Sequence, residues 1–101
     1  MDNVTAIEQR NKAHNDINRA DRARQVMDDP IVTEALTAIK GDLYNKFCST
    51  EFSESNERDE IWRKMQTVHK FEKYFKEVMT TGTIGQQTLT MMDKAKQLIG
   101  L

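Results

Sequence analysis

The stretch DDPIVTEALTAIKGDLYNKFC, residues 28–48, decides the fold. A proline pushes the residue before it into extended backbone, so Asp28 and Asp29 end whatever precedes them. Asp29 can then cap a new helix that carries Pro30 in its first turn. Beyond that start, Val32, Leu36, Ile39, Leu43 and Phe47 recur at spacings of four, three, four and four, with Ile31, Ala35 and Tyr44 beside them. This is the period of one helical face, and it predicts a core-facing helix over about 30–48. Gly41 falls off the stripe, where a helical glycine costs about 1 kcal/mol relative to alanine. It marks either a close approach or a tolerated defect.

Downstream, residues 49–60 are polar and acidic, with Glu51, Glu54, Glu57, Asp59 and Glu60 against Arg58 alone. They read as a loop feeding a helix whose first turn is acidic, which suits the positive end of a helix dipole. That helix is predicted over about 56–81, with Ile61, Met65, Val68, Phe71, Phe75, Val78 and Met79 as its apolar face. Gly82 supplies a left-handed stop. Thr83-Ile84-Gly85-Gln86 has the Thr-x-x-Gln pattern of a capping box, so a short C-terminal helix is expected, carrying Leu89, Met91, Met92, Ala95, Leu98 and Ile99. The short loop makes the two central helices an antiparallel hairpin.

Upstream, residues 3–27 hold good helix formers and neither Gly nor Pro, but their apolar positions are sparse: Val4, Ile7, Ile17, Val26 and Met27. Too little apolar area is available to offset the entropy of docking the whole length. The expected organisation is therefore a polar helical arm, 1–28, projecting from or fraying off a small helical domain, 29–101. The fold class is all-α. Two helices cannot enclose a core alone, so the C-terminal helix, the arm or another copy of the chain must cover the remaining apolar face, and oligomerisation is an expectation.

Composition agrees with this and narrows the function. The 101 residues are 38% hydrophobic and 31% charged, with one proline and four glycines. That punctuation is too scarce for an all-β fold. A net charge of −1 provides no global basic field for nucleic acid. The single Cys48 excludes an intrachain disulfide and suits a reducing cytoplasm. No basic-then-apolar leader or long apolar run suggests secretion or a membrane span.

Chemistry has few ingredients. His14, His69 and Cys48 match no nucleophile motif, and Cys48 beside Phe47 reads as an inert, buried small hydrophobe. His69 and Glu72 have a metal-compatible spacing, yet no second His-containing pair exists, so a surface pair is the expectation. Gly82-Thr83-Ile84-Gly85 lacks the Gly-Lys-Ser/Thr ending of a phosphate loop. No catalytic residue, metal or cofactor is assigned, and the chain is expected to be non-enzymatic.

The candidate contacts lie on two surfaces. On the arm they are Ile7, Ile17 and Arg22; on the helix that follows the acidic loop they are Trp62, Arg63, His69, Lys70 and Lys73. Aromatic plus basic chemistry serves base stacking and protein hot spots alike. With Glu60, Glu72 and Glu77 on the same helix, the balance favours solvated lysines and a Trp62 packed beneath the arm or the acidic loop, ahead of a nucleic-acid face.

From Ala20 to Ile84 the chain resembles a group of small helical proteins encoded by tailed bacteriophages. The likeness rests on an Arg- and Ala-rich lead-in, Asp29-Pro30 opening a helix, Arg58 with Glu60 and Trp62 opening the next, and Thr81-Gly82 near its end. The resemblance implies a setting, the host cytoplasm or the phage particle. It implies a virion or assembly accessory acting by protein contacts with itself or with phage structural proteins. A DNA-packaging adaptor using Trp62, Arg63, Lys70 and Lys73 is the alternative. An inhibitor of a host protein, its acidic 51–60 segment mimicking nucleic acid, is another.

Overall fold

A computed structural model of the chain describes residues 3–99, with side chains from Thr5 onward. Residues 1–2 and 100–101 of the expected arm and domain lie outside the described residues, as does the side chain of Val4. Among the described residues the fold is all-helical: α1 (Asn3–Asp28), α2 (Pro30–Ser49) and α3 (Ser55–Leu98). The chain divides into two compact units, 26–74 and a second made of 1–25 with 75–101.

The 26–74 unit contains the expected hairpin. Asp29 is extended (φ −63°, ψ 124°), and its carboxylate accepts the Ile31 N–H at 2.9 Å. The cap and Pro30 together start α2 where the sequence placed it. Thr50, also extended, ends α2 by donating its N–H and its hydroxyl to the Phe47 carbonyl at 3.2 and 2.7 Å. α2 then packs on the first half of α3. Leu43 is buried, while Val32, Leu36 and Phe47 from α2 and Ile61, Met65 and Val68 from α3 are half-buried.

The turn between α2 and α3 is tied by Arg58. Its guanidinium donates to the Thr50 carbonyl at 3.1 Å and the Thr50 hydroxyl at 2.8 Å. It also lies over the Phe47 ring, 4.3 Å from the centroid, with Phe52 at 5.3 Å on the same cation. Two aromatic faces and two oxygens thus hold one guanidinium, each contact modest and together directional.

In the other unit α1 runs antiparallel to the second half of α3, so the expectation of an undocked arm is corrected. Ala13, Ala20 and Ala23 are buried, and opposite them on α3 so are Gly82, Gly85 and Leu89. A Cβ placed on Gly85 would lie 2.8 Å from the Ala13 carbonyl oxygen, and one on Gly82 would fall onto the Ala20 Cβ. The sparse apolar count misled because it weighed area alone. Helices that present alanine and glycine approach closely, gaining backbone-to-backbone dispersion and needing no large side chains.

The same packing explains why no short C-terminal helix exists. α3 continues unbroken through Gly82 to Leu98. Gly82 is right-handed and buried, serving close approach and not termination. The Thr83 hydroxyl, expected to cap a new helix, donates to the Met79 carbonyl four residues back at 3.3 Å, and Thr81 donates to Glu77 at 2.9 Å. Threonine satisfied inside a helix in this way does not start one.

Candidate functional site

The candidate residues fall on separate faces. On α1, Ile17 is half-buried in the seam against Gly82, Arg22 is exposed on the side opposite Ala13, and Ile7 is 58% exposed on a flank. These three do not form one surface.

Ile7 instead joins Met91, Met92 and Ile99 in an open apolar groove of about 720 Å³ between α1 and the end of α3. Arg10 and Lys96 edge it, and Arg10 reaches Asp93 at 3.4 Å. Met91 is 71% and Ile99 68% exposed. The methionine pair was visible in the sequence as part of a helical stripe. What it faces, α1, was not.

On α3 within the 26–74 unit, Trp62 is 55% exposed. Arg63, His69, Lys70 and Lys73 are exposed with it. Taking 100° per residue, these positions occupy about 120° of the helix, on the side away from Val68.

The acidic residues that made this helix look charge-balanced behave differently. Glu72 turns toward α2, where both of its carboxylate oxygens lie 2.8 Å from the Lys40 ammonium. Glu60 pairs with Lys64 at 3.5 Å. Glu72 is thus engaged by Lys40 across the hairpin, and His69 lines the groove beside that pair. Among the described residues no three His, Cys, Asp or Glu side chains gather as metal ligands.

Beside that ion pair an open groove of about 490 Å³ runs along Lys40, Tyr44, Met65, His69 and Glu72. Cys48 is exposed, which corrects its expected burial. It lies one turn beyond Tyr44 on the outer side of α2, where its hydrogen bond and its charge both raise the Tyr44 pKa above the ordinary phenol value. At the hairpin tip Phe52 is 93% exposed. There the Glu57 carboxyl bonds to Glu54, holding Glu54 below the ordinary carboxylate range and lifting Glu57 above it, with the Glu54 charge adding to the rise.

These features define a class: a small all-helical chain with open apolar grooves, an exposed aromatic and basic helix face, and among the described residues no helix long and apolar enough to cross a membrane. Compared with known protein families, curated proteins and solved structures, the chain matches none.

Proposed function

We propose that this is a non-enzymatic helical interaction protein working by protein–protein contact, a virion or assembly accessory of a tailed phage. The observation that carries the contact reading is the groove of Ile7, Met91, Met92 and Ile99, which leaves large apolar side chains in water at the end of a helix pair. Such patches mark interaction surfaces, and methionine-rich ones adapt to their partners. The scarcity of buried large side chains points the same way: among the described residues only Leu43 and Leu89 are buried. The phage setting rests on the hairpin resemblance.

Light scattering on the purified chain tests the contact. An oligomer is expected, reverting toward monomer when Met91→Glu places a charge in the groove. A strictly monomeric chain that also fails to co-sediment with virions or assembly intermediates would sink the proposal.

A further inference from the structure

We infer that the apolar groove of one copy of the chain receives the hairpin tip of another, with Phe52 entering among Ile7, Met91 and Met92 and the acids beside it meeting Arg10 and Lys96. The inference rests on the reading of that groove as a contact surface and names its occupant. Each half lies inside one compact unit, the groove in the unit of 1–25 with 75–101 and the tip in the unit of 26–74.

Exposure singles out the two halves. Phe52 is 93% exposed, more than any other large hydrophobic side chain among the described residues, and it stands in the turn between α2 and α3. The groove is the converse, about 720 Å³ of largely apolar space in which Met91 is 71% and Ile7 58% exposed. A phenyl ring fits that space, and methionine thioethers make favourable contacts with aromatic edges while adapting to their shape. Burying such a ring removes about 150–250 Å² from water. Neither feature is covered by its own chain.

Charge selects the pairing. Residues 51–60 hold five carboxylates against Arg58 alone, and Arg58 is engaged by Thr50 and the Phe47 ring. Glu60 goes to Lys64, whereas Glu51, Glu54 and Glu57 make no ion pair among the described residues. At the groove the charged side chains in the lining are both cations. Asp93 lies 3.4 Å from Arg10, and Lys96 makes no ion pair among the described residues. An acidic knob in a basic-edged groove is favoured by burial and by charge alike, and complementary potentials set which surfaces meet. Groove against groove would instead bring Arg10 and Lys96 of two copies together, and tip against tip would crowd carboxylates. Because knob and groove are different residues, the contact is heterologous. A pair leaves one tip and one groove free, so further copies join head to tail into a ring or an open chain.

Sedimentation velocity on the full chain tests this with two variants that each disable one half, Phe52→Ser for the tip and Met91→Glu for the groove. Each alone should associate at least about tenfold more weakly than the parent chain. Mixed in equal amounts, the two should form a one-to-one pair and grow no further, because a single intact tip meets a single intact groove. Both positions are exposed, and far-UV circular dichroism would verify that the variants fold. If Phe52→Ser associates as the parent does while Met91→Glu is monomeric, the groove remains a contact surface but the tip is not its occupant, and the inference is overturned. A mixture that stays monomeric at concentrations where the parent associates also overturns it. So does a parent that is monomeric at its highest soluble concentration, in which case the groove reading stands or falls on co-sedimentation with virions or assembly intermediates.

Discussion

Gly41, Gly82 and Gly85 are all helical, yet a methyl group at each would meet different surroundings. Nothing lies within 4 Å of a Cβ on Gly41, whereas one on Gly82 would collide with Ala20 and one on Gly85 with the Ala13 carbonyl. Gly41→Ala should therefore raise stability by about 1 kcal/mol through helix propensity alone. Gly82→Ala gains the same propensity but overpacks the seam, which costs about 1–3 kcal/mol, so a net loss of up to about 2 kcal/mol is expected. Urea denaturation of the two variants should move the midpoint in opposite directions. If both rise, the close approach of α1 to α3 is disproved. The sequence showed these glycines but could not separate them, because a helix stop and a helix contact use the same residue.

The hairpin tip makes a second prediction at this scale. Glu54 should titrate below the ordinary carboxylate range and Glu57 above it, as read by carboxyl NMR over a pH series. The signs oppose each other. Glu54, with its folded pKa depressed, contributes stability above its unfolded pKa that is lost as pH falls through the depressed value. Glu57, with its pKa raised, contributes stability below its unfolded pKa that is lost as pH rises through the elevated value. The pair should thus show split titrations with little net change in stability, and Glu57→Gln should bring Glu54 back toward the ordinary range only in so far as the amide bonds it less well. Two carboxyls titrating together would refute the shared hydrogen bond.

Among the elements, α2 was the most legible. Its cap, first-turn proline and apolar stripe all act within one or two turns, and they agree. α1 was legible as a helix in its bounds but not in its partner, and α3 was legible in its first half, paired with α2, but not in its C-terminal extent. The buried alanines of α1 lie at 13, 20 and 23, a spacing that sets them on one side of the helix, but alanine is also the commonest way to make a solvent-facing helix. Only the opposing glycines give the pattern meaning. Ala20→Leu should accordingly disrupt the α1–α3 contact by roughly 1–3 kcal/mol or more, since Gly82 leaves no room for a larger side chain. Hydrogen exchange should then show lost amide protection along α1 and the second half of α3, while residues of the α2 hairpin keep theirs. Uniform loss, or none, would count against the seam as the element that holds α1.

For the whole molecule, large buried side chains are scarce: among the described residues only Leu43 and Leu89 are of that kind. If the chain assembles through its groove, its melting temperature should rise with protein concentration, as mass action requires, and Met91→Glu should abolish that dependence. The amino-acid sequence alone determined the helical class, the break at Asp29-Pro30 and the acidic turn, because caps, propensities and periodicity act over a few residues. Tertiary structure alone decided that α1 docks, that Gly82 joins and does not stop, and that Glu72 is withdrawn from the Trp62 face. Each of these depends on a partner far along the chain: Ala20 for Gly82 and Lys40 for Glu72. Local rules carry no information about which distant side chain will arrive within contact distance.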